Sequence, residues 1–572
     1  MLIHVLAVDY DGTIAAHGRV AEPTAAALAR VRESGRKVVL VTGRMLPDLR
    51  QVCQDVDRLF DAVVAENGAL LYLPATREVR PLGDPPEPAL VEALRRREVP
   101  VDLGSSILAT HEEFAEAALG AIREVGVERT LVFNKGALML LPGGVTKGTG
   151  LRAALQVLQL SPRNVVAIGD AENDHAFLSV CEIAVAVADA IPALRERADV
   201  VTSAPSGAGV TEIIDRHVLS DARELIGRLA RHRLALGDLP DGTPVTIAPH
   251  DTRLLIVGPS GTGKSTLTGL LVEQLVQSSR CICLLDPEGD YDALAELPDV
   301  VVLGGKATEA LPAPDELEQL LRRPSGHLTL NLSALSMADK VAYTTRALGV
   351  VAAVQATHGL PHWLIVDEAH HVFPADGSAA VGALPSAGGS LCVITLEAER
   401  LAPEVLGQIT AVASTDPGWL HGALTVVNGA APPARDDGRP LERGEAVLAF
   451  VGDAAPAPVR FRLGRRQIQH RRHVKKYAEG ELPPDRSFYF RGSQGSLNLR
   501  AANLARFVEL AEGVDEGTWT FHLRRGDYSR WLREAIKDAD LADEIHDMEG
   551  APLPGGEARR RVLDAVRARY SV

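Results

Sequence analysis

Short aliphatic and β-branched runs recur along the chain. Between them, alanine and leucine return at helical spacing. The runs LIHVLAV, KVVLVT and NVVAIG fall in the first part of the sequence. RLLIVG, CICLLD, HLTLNL, HWLIVD, SLCVIT and EAVLAFV follow in the second. Strand runs alternating with helical patterns predict an α/β fold with parallel sheets. One helix is bounded by its own chemistry: PTAAALARVRESG opens on Pro23 and closes at Gly35.

The rhythm divides the chain. A first doubly wound unit spans residues 1–220, and its less regular stretch, about 74–145, reads as an inserted cap. A polar helix and the turn-rich GDLPDGTP form a linker over 221–245. A second doubly wound unit covers 246–455, with GAAPPARDDGRP (429–440) as a loop. Residues 456–572 begin basic, turn mixed, and read as a small, mostly helical domain.

Composition narrows the class. Of 572 residues, 46% are hydrophobic and 24% charged, which excludes global disorder. No apolar run reaches the roughly 18 residues of a membrane helix. The N-terminus runs straight into a strand, without the pattern of a signal peptide. The five cysteines have no zinc or disulfide spacing, and Cys281 and Cys283 lie in a strand-like run. A reducing cytoplasm fits that usage.

Three strand runs of the first unit end in polar residues. They lead into Asp9-Tyr10-Asp11-Gly12-Thr13, Thr42-Gly43-Arg44, and Asp170 followed by Glu172, Asn173 and Asp174. Ligands of open parallel sheets bind beyond the carboxyl ends of strands, so these groups converge. A carboxylate can attack phosphorus, and a second, two residues on, can act as general acid and then base. Clustered acids facing a phosphate call for a cation, and Mg²⁺ suits them. Thr42 can donate to a phosphoryl oxygen, and Lys147, ahead of a helix, adds positive charge.

In these motifs the sequence resembles the haloacid dehalogenase superfamily of phosphatases. DYDGT matches its first motif, TGR its second, Lys147 its third and GDAEND its fourth. The resemblance implies that Asp9 is the nucleophile and Asp11 the acid/base. It also implies that Asp9, the main-chain carbonyl of Asp11, and Asp170 bind Mg²⁺, with Asp174 in support. AENGALL (65–71) and the insert between the second and third motifs resemble the subfamily with a type-two cap. That group includes sugar-phosphate phosphatases and an archaeal-type phosphoglycolate phosphatase.

The second unit carries a phosphate-binding loop. Gly258-Pro259-Ser260-Gly261-Thr262-Gly263-Lys264-Ser265-Thr266 follows RLLIV and opens a helix, the context GxxxxGKS requires. The loop amides wrap ATP phosphates, Lys264 reaches the β- and γ-phosphates, and Ser265 holds Mg²⁺. HWLIV ends in Asp367-Glu368-Ala369-His370. Asp367 is placed to order the Mg²⁺ shell and Glu368 to polarise water.

DPEGDY (286–291), VDEAHH and ITLEAERLAPEVLGQIT resemble the HerA/FtsK ATPase superfamily. That resemblance implies a homo-oligomer, commonly a hexameric motor, completed by an arginine in trans from among Arg346, Arg400, Arg435 and Arg443. Two departures weigh against DNA pumping. Leu396 follows Thr395 where such ATPases often place glutamine, and the phosphatase replaces the usual N-terminal barrel.

VRFRLGRRQIQHRRHVKK (459–476) carries Arg460, Arg462, Arg465, Arg466, Arg471, Arg472, Lys475 and Lys476 without an acid. It can grip nucleic-acid phosphates, or dock as a basic strand on an acidic protein. The net charge of −15 does not favour nucleic acid as the main partner. The aromatics Phe488, Tyr489, Phe490, Trp519, Phe521, Tyr528 and Trp531 read as a small core. This tail resembles an uncharacterised helical domain appended to other enzymes.

The expected whole is a Mg²⁺-dependent phosphatase of a small phosphorylated substrate, fused to an ATPase that regulates or assembles it. A polynucleotide kinase–phosphatase, a nucleic-acid motor with an end-trimming phosphatase, and a nucleotide-switched scaffold stand as alternatives.

Overall fold

The computed structural model describes residues 2–134, 136–226, 229, 232–305, 310–385, 389–428, 439–452, 455–464, 482–492, 499–536, 538–551 and 555–570. It divides into two compact units, Met1–Arg466 and Gln467–Val572. Among the described residues no helix is long and apolar enough to cross a membrane.

The first unit holds both α/β parts. Its N-terminal sheet has eight described strands. At its centre Val5–Val8 runs parallel between Val165–Gly169 and Lys37–Val41, with Val8 opposite Ile168 and Leu40. All four residues of the central strand are buried, because helices cover both faces of the sheet. The helix Glu22–Glu33 buries Ala27, Leu28 and Val31 and ends ahead of Gly35. In register, the three strands deliver Asp9, Thr42 and Asp170 to the carboxyl end of the sheet.

A four-stranded antiparallel sheet forms the cap, built from Asp102–Leu103, Leu108–His111, Arg129–Asn134 and Ala137–Pro142. It shares a core with the helices Pro88–Arg96 and Ala115–Val125 through Leu90, Leu94, Ile122 and Leu138. Glu78–Pro81, read above as part of the insert, instead pairs with Leu70–Leu73 at the edge of the main sheet.

The P-loop sheet has eleven described strands. Its centre is parallel: Arg253–Val257 lies between Ser390–Thr395 and Ala411–Ser414, and Trp363–Val366 lies on the far side of Ser390–Thr395. The stretch read as a linker over 221–245 carries two strands of this sheet. Leu234–Asp238 and Pro244–Ile247 form a hairpin, and GDLPDGTP is its turn, closed by Leu239 N–H donating to Thr243 O. Turn residues mark a chain reversal equally well within a hairpin or between domains, and only the pairing partner separates the two.

That partner is the start of the basic stretch. Val459–Leu463 pairs with Glu445–Phe450 and with Leu234–Asp238, so Arg460 and Arg462 sit on a sheet strand. Arg465, Arg466, Arg471, Arg472, Lys475 and Lys476 lie outside the described residues, as does Arg435. Cys281 and Cys283 are buried at and in the strand Ile282–Asp286, and all five thiols are free.

The described part of the second unit is mostly helical, and Phe488–Phe490 pairs antiparallel with Leu499–Ala501. Phe488, Phe490, Trp519, Tyr528 and Trp531 pack as its core with Phe507 and Leu532. Trp519 stacks on Tyr528 with ring centroids 4.3 Å apart.

Candidate functional site

At the N-terminal sheet edge, Asp9 follows its strand with 4% of its surface exposed. Lys147 Nζ donates to Asp9 Oδ1 and Asp174 Oδ1, each at 2.6 Å. Asp174 Oδ2 accepts from the amides of Asp170 and Ala171 at 2.8 and 2.9 Å, which folds the 170–174 loop under the site. Thr13 Oγ1 donates to Asp170 Oδ1 at 3.1 Å. Oxygens of Asp9, Asp170 and Asp174 lie within 4.8 Å of one another.

Lys147 is held there by its neighbours. It begins the helix Lys147–Leu158, whose N-cap Thr146 exchanges hydrogen bonds with Thr149. The 66–68 turn packs on this helix start. Gly68 has φ +105°, and a Cβ there would stand 1.9 Å from Thr146 O, so this close approach requires glycine. AENGALL therefore places the lysine.

The charge balance is tense. Burial pushes the Asp9 carboxyl up to about 8, Lys147 opposes that, and Asp174 and Asp170 add to it. The donor set fits Mg²⁺, which takes carboxylate oxygens and relieves such crowding.

Asp11 meets a partner the motif reading left unassigned. Arg44 grips it bidentately, Nε–Oδ2 at 2.6 Å and Nη2–Oδ1 at 2.7 Å. The Arg44 amide also donates to Thr42 Oγ1 at 3.1 Å. Asp9, Asp11, Thr42 and Arg44 line a cavity of about 190 Å³, closed from the cap by Asp102, Asn134 and Met139. Asn173 Nδ2 donates to Asn67 Oδ1 at 2.9 Å, linking the fourth motif to the 66–68 turn. Arg44, Asn67 and Asn173 were visible inside quoted motifs. Asp102 and Asn134 carried no local signal.

In the P-loop part, Gly258, Gly261 and Gly263 have φ of 152°, 84° and 113°, values that L side chains resist. They wrap the loop toward the helix Lys264–Gln277. Lys264 Nζ donates to Gly258 O at 2.7 Å and Pro259 O at 3.0 Å. Thr262 Oγ1 lies 2.6 Å from Thr415 Oγ1. Ser265 is buried, and Thr266 N–H donates to Gly263 O.

Asp367 is buried one strand away, beyond Ser390–Thr395, and Oδ1 accepts the Glu368 amide at 2.8 Å. Glu368 has a left-handed backbone, φ 45°. Its Oε2 lies 3.5 Å from His370 Nδ1, which is also 3.2 Å from Thr395 Oγ1. Burial depresses His370 to about 4, helped by His371, Arg400 and Lys264, so its ring is neutral at pH 7. Thr395 thus ends the strand between those that lead into Gly258 and Asp367. Asp286 accepts the amides of Gly289, Asp290 and Tyr291 and shapes the DPEGDY loop.

Arg400 lies in the turn after Thr395. Arg346 stands over the Tyr343 ring at 5.9 Å, and Arg443 is exposed.

Comparison with known proteins covers the two parts separately. A family model described as haloacid dehalogenase-like hydrolase matches residues 6–80 and 104–214. The phosphoglycolate phosphatase of Methanothermobacter thermautotrophicus is 36% identical over 223 residues, 37% of this chain and 98% of that protein. The chain belongs to the haloacid dehalogenase-like hydrolases. The phosphoglycolate phosphatase of Haloarcula marismortui is 34% identical over 221 residues, 36% of this chain and 95% of that protein. A solved haloacid dehalogenase-like hydrolase from Bacteroides thetaiotaomicron is 18% identical, covers 37% of this chain and 99% of its own, and has a TM-score of 0.33.

A second family model, described as the central domain of helicase HerA, matches residues 234–349. This match begins at the strand Leu234–Asp238, includes Lys264, and ends before Asp367. This haloacid dehalogenase-like hydrolase therefore carries, in the same chain, a region similar to the central domain of helicase HerA.

Proposed function

We propose that the chain hydrolyses a small phosphomonoester through an aspartyl-phosphate on Asp9, and that the attached ATPase regulates or assembles that activity. The crowding of Asp9, Asp170 and Asp174 around Lys147 carries the reading. Asp9, Asp170 and the main-chain carbonyl of Asp11 would hold Mg²⁺, with Asp174 in support. Bound there, Mg²⁺ would screen the acids from an incoming phosphate and stabilise charge on the transferring group.

In the first step an Asp9 oxygen attacks phosphorus and the ester P–O bond breaks. The leaving oxygen takes its proton from Asp11. Water then attacks the aspartyl-phosphate, gives a proton to Asp11, and releases phosphate and free Asp9. Thr42 and Lys147 donate to charge developing on phosphoryl oxygens. Arg44 holds Asp11 in place while it is a carboxylate.

The cavity supports a small substrate. About 190 Å³ under the cap residues Asp102 and Asn134 suits a compact phosphorylated acid or sugar better than an oligonucleotide end. This weighs against the polynucleotide kinase–phosphatase alternative, as does Glu368, read as the group that activates water for hydrolysis of ATP. The HerA-like half supports a homo-oligomer. Light scattering with and without ATP tests this, and a fully active monomer would remove it.

The deciding experiment is a phosphatase screen of phosphoglycolate, sugar phosphates, nucleotides and 3′-phosphorylated oligonucleotides, with and without Mg²⁺ and ATP. Preference for an oligonucleotide over every small ester would overturn the reading.

A further inference from the structure

The second unit contains a cavity of about 650 Å³ that neither active site uses. Arg486, Arg491, Arg525 and Arg530 stand on its wall with three acids, Asp485, Asp527 and Glu534. A locally positive hollow is notable on a chain of net charge −15.

The arginines are not equivalent. Asp527 is shared by Arg530 at 3.2 Å, Arg525 at 3.5 Å and His522 Nδ1 at 2.8 Å. Arg486 and Arg491 have no carboxylate partner among the described residues.

Buried side chains pin the main chain at both of these positions. The Arg491 amide donates to His522 Nε2 at 2.9 Å. The proton of this imidazole therefore sits on Nδ1 and goes to Asp527. Trp531 Nε1 donates to Arg486 O at 2.9 Å. Two solvated guanidiniums are thus presented from fixed backbone, the arrangement that recognises an anion with little ordering cost.

Flat surfaces flank them. Tyr489 and Phe521 are only half buried and line the cavity, while Phe490, Phe507, Trp519 and Tyr528 fill the core. The Arg491 guanidinium lies over Tyr489 at 5.1 Å and that of Arg525 over Phe521 at 5.2 Å. Rings and guanidinium planes together form stacking surfaces for a planar heterocycle. The volume lies in the range of small-ligand sites.

We propose that this cavity is a third ligand site, binding a nucleoside phosphate: phosphate on Arg486 and Arg491, base against Tyr489 or Phe521. It gives the second unit a sensing role separate from either active site.

The test uses the full chain carrying Asp9→Asn and Lys264→Ala, which disable phosphate transfer and the P-loop. Calorimetric titration with ADP is expected to show one site. Arg486→Gln or Arg491→Gln should weaken it about ten- to hundredfold at unchanged melting temperature, the scale of losing one charged hydrogen bond. Adenosine and inorganic pyrophosphate, tested separately, should each bind at least about tenfold more weakly than ADP. Tyr489→Ala should weaken ADP but not pyrophosphate. Failure of ADP to bind, binding indifferent to both arginine variants, or pyrophosphate matching ADP would each overturn the proposal.

Discussion

Arg280 Nη2 lies 2.9 and 3.0 Å from the two carboxylate oxygens of Glu182, and the two side chains are 0% and 1% exposed. This pair joins the haloacid dehalogenase-like part to the HerA-like part. His250 Nε2 adds a contact to Glu182 at 2.9 Å, and Arg163 reaches Ser278 O at 2.8 Å. His362 Nε2 meets Asn164 Oδ1 at 3.2 Å. Asn164 and His362 directly precede the strands that lead to Asp170 and Asp367. The two sheets thus meet where those strands begin, and their sites lie at the opposite strand ends.

Removing one partner of this pair should cost more than removing both. Glu182→Ala leaves a buried guanidinium without its anion, a loss of about 3–5 kcal/mol. Glu182→Met with Arg280→Met should recover most of it. Urea unfolding of the single and double variants measures the difference, and equal losses would contradict the interface reading.

The same pair predicts an acid limb. Burial pushes the Glu182 carboxyl up, but Arg280 and His250 outweigh burial and hold it well below its ordinary range. A depressed carboxylate stabilises the fold fully above its unfolded pKa of about 4.3 and loses that contribution as pH falls through the lower folded value. The melting temperature of the wild type should therefore fall below about pH 4 by more than that of Glu182→Gln.

Phosphatase turnover should depend on Asp9. Asp9→Asn keeps the shape and removes the nucleophile, so turnover of p-nitrophenyl phosphate should drop by roughly three orders of magnitude or more. Chelation of Mg²⁺ should abolish wild-type activity and its return restore it. ATP hydrolysis by Asp9→Asn, assayed with Mg²⁺ present, should stay at the wild-type rate.

Arg44 is expected to act through Asp11. Arg44→Ala frees the carboxylate and should lower kcat by about ten- to hundredfold, within the range of a misplaced acid/base. Arg44→Lys keeps the charge without the fork and should recover only part. Steady-state kinetics separate this from a binding role, in which KM alone would rise.

The P-loop variants should divide cleanly. Lys264→Ala should abolish ATP binding, whereas Glu368→Gln should bind ATP without hydrolysing it. Basal phosphatase activity should persist in both, read by nucleotide binding and phosphate release in parallel assays.

The positions of the polar residues at the strand ends were legible in the sequence because their signal is local. A buried strand, a tight turn and a helix start leave their marks within about a dozen residues. Asp9, Asp170 and Asp367 could therefore be put at strand ends, and Lys264 at a helix start, from the local pattern. Tertiary structure decided what depends on distant partners. The hairpin in 234–247 reads as a linker until Val459–Leu463 pairs with it. Arg44 gained its partner only opposite Asp11, 33 residues away, and Glu182 only opposite Arg280, 98 residues away. A charged residue leaves no periodic trace of the partner it will meet. Desolvation makes that partner necessary, and only the folded chain supplies it.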